Sequence, residues 1–290
     1  MKIAVLGATG TIGRALVPLL AQEHDVVAIS RRPHDGSNGV RWTQADATDP
    51  GAMEKALEGI DVAYYLVHSL GSVDFEERDR IAAATVARVA ARAGLRQLLY
   101  LGGLGDRSPD LSRHLRSRAE TAKVLAAGSV PLTTLRAAMV VGPGSAAFET
   151  IVALVDRLPA MICPRWVSTP TQPIALADIV TYLAAAAGAD QMFGHSFDAG
   201  GPEVMTYRKM IEQIALIRGR HPLIVEVPIL TPRLSSYWLN LVTPVRASVA
   251  RPLIEGLRNA TVAEDDRLRQ LVPFDLTPFD EAARAALSAR

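Results

Sequence analysis

The chain has 290 residues, 49% of them apolar, and its 31 basic and 30 acidic residues leave a formal charge of +1. That apolar share is ample for a buried core, and the balanced charge, with no block of one sign, excludes a nucleic-acid footprint and a polybasic membrane patch. Cys163 is the only cysteine, so an intrachain disulfide and a multi-cysteine metal site are excluded and a reducing, cytoplasmic setting is expected. No run of about 18 apolar residues is present to span a bilayer, and the short apolar run before Gly7 is too brief for a signal peptide.

In chain order, short aliphatic runs alternate with alanine-rich stretches of helical period, the pattern of successive βαβ units on a parallel sheet. Strands are expected over 2–6, 25–30, 40–44, 61–67, 96–101 and 132–141, and helices over 12–21, 50–58, 74–93 and 111–126. In the third helix Phe75, Arg78, Ile81, Thr85, Val86, Val89 and Ala93 share one face and are expected to form its buried stripe. After Gly142-Pro143-Gly144 the elements become shorter. The expected organisation is α/β: a Rossmann-type doubly wound parallel sheet over 1–142 and a smaller C-terminal α/β lobe over 143–290, with helices over 147–157, 176–187 and 206–217. The apolar segment 232–257, with Tyr237, Trp238, Pro244 and Pro252, reads as a kinked helix packed on the lobe and leaves peripheral membrane contact open.

Gly7-Ala8-Thr9-Gly10-Thr11-Ile12-Gly13 joins the first strand to the first helix. Three glycines at this spacing allow a tight turn, a close backbone approach to a diphosphate and close helix–strand packing, while the helix N-terminus offers free N–H groups to the anion. The loop points to a bound dinucleotide. At the end of the second strand stands Ser30-Arg31-Arg32, where an NAD site would place a carboxylate on the ribose. Two guanidiniums instead suit a 2′-phosphate, so NADP(H) is the expected cofactor, with NAD(H) possible. Asp46, after the third strand, is read either as an adenine partner or as a turn residue. Val67 and His68, past the fourth strand, lie at the carboxyl edge where open α/β sheets bind ligands.

Together with Arg136, Gly142-Pro143-Gly144, Pro173 to Asp178 and Phe197 to Pro202, the glycine loop resembles the extended and atypical short-chain dehydrogenase/reductases across nearly the whole chain. Tyr65 to Ser69, Tyr100 to Gly105 and His114 to Arg118 resemble the NmrA-like NAD(P)H-binding branch related to complex I accessory subunits. Competent members use a Tyr-x-x-x-Lys pair, in which the ammonium lowers the phenol pKa for proton transfer. The six tyrosines here are followed four positions on by His68, Ser69, Leu104, Ala186, Ile211 and Leu241, so the pair is missing. Its place holds His114 and Arg118, at i and i+4 on one helix face. They read either as a candidate catalytic pair, with His114 donating a proton near its ordinary pKa, or as a packing histidine and a surface arginine. The usual active-site Ser/Thr is replaced by Gly102-Gly103.

No zinc-protease, hydrolase-elbow or Walker motif is present and no metal site is expected. Three functions remain. A reductase passing hydride to a small apolar acceptor, such as a quinone, demands least of an acid; a non-catalytic redox sensor or assembly factor is the alternative implied by the resemblance; a sugar-nucleotide epimerase or dehydratase would need the missing tyrosine.

Overall fold

The structure, a computed structural model, describes residues 1–34, 40–69, 72, 74–105, 111–227 and 256–289. Its frame is a seven-stranded sheet. Six strands come from the first half of the chain: β1 (Lys2–Leu6), β2 (Asp25–Ser30), β3 (Arg41–Gln44), β4 (Val62–Tyr65), β5 (Gln97–Gly103) and β6 (Leu132–Ala137). The seventh, Ser196–Ala199, runs along β6. All neighbours are parallel, with spatial order Ser196–Ala199, β6, β5, β4, β1, β2, β3.

Both faces of this sheet are covered, which is why β1 and β4 read as unbroken apolar runs. Successive side chains alternate faces. Ile3 and Val5 enter a core with α1 (Thr11–Leu20) and α6 (Leu176–Ala186). Ala4 and Leu6 enter a second core with α2 (Pro50–Ala56) and α3 (Phe75–Ala93). The next helix, α4 (Arg113–Ala126), packs beside α3. Because the chain winds outward from β1 to β3 and then restarts at β4 on the other side, the sheet opens a crevice past the carboxyl ends of β1 and β4.

Two expectations are corrected in detail. The strand expected over 132–141 leaves the sheet after Ala137, and Val140–Val141 pairs instead with Ile174–Ala175. The buried stripe of α3 does not pass through Arg78 or Ile81; Ile81 is 40% exposed, and Phe75, Asp79, Ala82, Ala83, Val86, Val89 and Ala90 face inward. Alanines carry much of that face, so apolar size misled the phase. The chain beyond position 142 also returns to the main sheet through α6 and Ser196–Ala199.

The remaining chain builds a separate core. There α5 (Ala146–Arg157), α7 (Tyr207–Ile217) and the helix Phe279–Ser288 bury Phe148, Val152, Met210, Ile214 and Ala283. Segment 232–257 lies almost wholly outside the described residues. None of the described helices is long and apolar enough to cross a membrane.

Candidate cofactor and acceptor site

The glycine loop is shaped by what a side chain would strike. Gly7 has φ +84°, and a Cβ there would lie 2.8 Å from the Leu66 carbonyl oxygen; at Gly13 it would lie 2.5 Å from the Gly7 oxygen. Gly10 caps α1 without a side-chain hydrogen bond, and no acidic residue sits in the first turn. The amides of Thr11, Ile12 and Gly13 therefore face the crevice with the positive end of the helix and no intrahelical acceptor. Thr9 is half-buried, Ile12 leans on the core, and the Thr11 hydroxyl donates to the Gly144 carbonyl at 2.7 Å, joining this loop to the turn after β6. This loop, so tight that a Cβ at Gly7 or Gly13 would strike backbone, presents free amides that fit a dinucleotide diphosphate.

On the adenosine side, Ser30 is buried and its hydroxyl donates to the Arg32 carbonyl, so it shapes the turn that presents Arg31 and Arg32, both exposed. The Asp46 carboxylate accepts from the Thr48 amide at 2.9 Å and hydroxyl at 2.8 Å, and its other oxygen stands 3.9 Å from Arg78. Partial burial pushes its pKa up, but the Thr48 bonds and the Arg31 and Arg78 charges outweigh this and hold it below the ordinary value. Arg78, assigned to a buried stripe by sequence, thus belongs to this polar rim.

Past β4 and β5 the sheet edge carries His68, His114 and Arg118. Arg118 is tied back to the sheet: its guanidinium donates to the Leu101 carbonyl and lies 5.0 Å from the Tyr100 ring centroid, while the Tyr100 hydroxyl donates to the Arg118 carbonyl at 3.2 Å. His68 keeps exposed surface yet is ringed by protein, as a cleft wall would be, and Val67 beside it packs on the α3 core. Burial, then the Arg118 charge, pulls the His68 pKa down to about 4. Burial, Arg118 and His68 pull His114 down to about 3. The three groups are brought together, as each acts on another.

This bears on the role expected of His114. A pKa lowered to about 3 favours the neutral imidazole, which offers an N–H for hydrogen bonding. At Gly103, which with Gly102 replaces the usual hydroxyl residue, a Cβ would come 3.0 Å from the end of the Leu115 side chain on α4. Gln172 is a brace, donating to the Gly201 carbonyl at 2.7 Å and accepting from the Ala263 amide at 2.9 Å. Glu149 accepts from the Gly144 amide at 3.4 Å. The side chains of Arg165 and Trp166 lie outside the described residues.

A glycine cradle at a sheet switch point, with a polar edge past β4 and β5, is the arrangement of a Rossmann-type nucleotide-binding fold. Residues 7–147 match the model of an NAD(P)H-binding family. A relative in Streptomyces griseus, a (4-alkanoyl-5-oxo-2,5-dihydrofuran-3-yl)methyl phosphate reductase, is 28% identical over 229 residues, 75% of this chain and 74% of that protein. Two solved structures share the fold. The triphenylmethane reductase of Citrobacter sp., complexed with NADP(H), superposes with TM-score 0.78 at 19% identity over 99% of this chain and 100% of that one. The NADPH-dependent quinone oxidoreductase of Escherichia coli, complexed with NADPH, gives 0.78 at 20% identity over 98% of each.

Proposed function

We propose that this chain is an NADP(H)-dependent reductase of a small, apolar, conjugated acceptor of the quinone type. The observation that carries the reading is the pair of imidazoles held neutral beside a tethered guanidinium at the carboxyl edge of the sheet. Similar proteins are named a dihydrofuranyl methyl phosphate reductase, a triphenylmethane reductase and a quinone oxidoreductase.

In this reading Gly7, Gly10 and Gly13 give the backbone room for the diphosphate, with the amides of Thr11, Ile12 and Gly13 donating to it and Thr9 lining the loop. Arg31 and Arg32 hold the 2′-phosphate, and Ser30 sets their turn. Asp46 receives the adenine side; Val67 and His68 flank the ring. When bound, NADPH supplies the hydride. Arg118 faces the acceptor oxygen as negative charge grows there, a contribution stronger in the transition state than in the ground state. His114 donates its neutral N–H to the same oxygen. A conjugated acceptor leaves a stabilised anion, which takes its proton from water afterwards, so no tyrosine acid is needed. Residues 1–142 hold the cofactor in this scheme, and 143–290 frame the acceptor.

The test is NADPH oxidation by purified protein with a panel of quinones and enones, run in parallel with NADH. Acceptor-dependent oxidation favouring NADPH is expected. Tight NADPH binding without turnover across the panel would replace this reading with a non-catalytic sensor or assembly partner.

A further inference from the structure

The polar wall of the acceptor site comes from two segments with no covalent reason to keep their spacing. His68 stands in the turn after β4, and His114 and Arg118 stand on α4. A third element touches both. Asp79, in the second turn of α3, is 3% exposed and faces inward among Phe75, Ala82 and Ala83. A buried carboxylate on an otherwise apolar helix face is unfavourable unless its oxygens are satisfied. Here one oxygen accepts from the Ser69 amide at 2.8 Å and the other from the Ser117 hydroxyl at 3.4 Å. Ser69 directly follows His68; Ser117 lies one turn beyond His114 and next to Arg118.

We propose that Asp79 is a positioning residue, a carboxylate clamp that ties the His68 turn to the face of α4 and thereby sets His68 against His114 and Arg118. It acts through these residues and touches neither cofactor nor acceptor. The consequence for turnover rests on the reductase reading above; the clamp itself does not. Packing alone would be served as well by alanine or valine, as it is elsewhere on this helix. Burial raises the Asp79 pKa against the pull of the Ser69 and Ser117 bonds and the Arg118 charge, as expected for a carboxylate kept inside for its hydrogen bonds.

Asparagine separates clamp from charge. In Asp79→Asn the amide oxygen still accepts from Ser69 and the amide N–H can reach the Ser117 oxygen, whereas Asp79→Leu fills the space and ties nothing. The sign of one readout discriminates. Removing a negative charge by itself lowers a nearby imidazole pKa, while releasing the His68 turn to water raises it.

The experiment is an NMR titration of the imidazoles in full-length wild type, Asp79→Leu and Asp79→Asn, with NADPH affinity measured by calorimetry. In wild type and Asp79→Asn, His68 is expected to stay near about 4. In Asp79→Leu it moves toward its ordinary 6.5, while NADPH affinity falls modestly, because the His68 turn flanks the ring but the amides that hold the diphosphate are left in place. With an active acceptor, its KM rises by about tenfold or more in Asp79→Leu and recovers in Asp79→Asn. If Asp79→Leu does not fold, Ser117→Ala opens one arm alone and should move His68 the same way by less. An unmoved His68 in the folded leucine or Ser117→Ala variant overturns the clamp, as does an asparagine variant shifted as far as leucine. Absence of turnover in wild type would count against the reductase and still leave the His68 titration to decide the clamp.

Discussion

The glycine cradle and the polar edge past β4 and β5 are built on opposite principles. The cradle spans seven consecutive residues, and its shape follows from missing side chains: each Cβ added at Gly7 or Gly13 would strike backbone. The edge draws His68, Asp79, Leu101, His114 and Arg118 from four elements, and its chemistry follows from burial and mutual charge. A binding function can therefore be written locally, whereas the acid–base character of a site is a property of the assembled fold.

The contrast can be broken most severely at Gly13. Gly13→Val would drive its Cβ within 2.6 Å of the Ala8 Cα, and loss of measurable NADPH binding by calorimetry is expected, with a lowered melting temperature. Next in size is Arg118→Met, which removes the tethered charge from the edge and leaves the cradle alone. Turnover should fall by about 10²-fold, the range for losing one transition-state donor, with NADPH affinity little changed. Arg31→Ala acts on the cradle's far end: NADPH affinity should fall by about tenfold and NADH affinity hardly at all, as for a lost charge-assisted bond. Equal losses for both coenzymes would show that this cation does not read the 2′-phosphate.

The smallest expected effect is on stability. The folded pKa values of His68 and His114 lie near about 4 and about 3, below the ordinary 6.5. Below pH 6.5 the unfolded chain then binds protons that the folded chain refuses. Stability is full above 6.5 and declines as pH falls through the window down to about 4. Urea unfolding should show a loss on the order of 1 kcal/mol between pH 7 and pH 5, after discounting for solvent screening at the partly exposed rings. His114→Asn should flatten that slope.

The same division explains what was legible beforehand. The six strands of the first half, the helix after the glycine loop and the loop itself were readable because apolar runs, periodicity and glycine spacing are local signals. The phase of α3 was not. Arg78 and Ile81 fit the arithmetic of a stripe, but the inward face is carried by alanines and interrupted by Asp79, so large apolar residues were poor markers. The signal for Asp79 was present as an acidic residue four places after Phe75 on an alanine-rich helix, yet nothing in the sequence shows Ser69 and Ser117 converging on it. Ser196–Ala199 escaped the strand count because Asp198 breaks its apolar pattern, and only the fold supplies the buried Arg136 that pairs with it at 2.5 Å. The neutrality of His114 was likewise invisible, since the burial and charge that lower its pKa come from distant parts of the chain.

The most direct test of the central claim is the pH dependence of quinone-driven NADPH oxidation, measured by the loss of NADPH absorbance with acceptor saturating. Imidazoles that remain uncharged should give a rate that is level from pH 8 down to about 5, with decline only as His68 approaches its lowered pKa of about 4. A limb centred near 6.5, or no acceptor-dependent oxidation at any pH, would contradict the account.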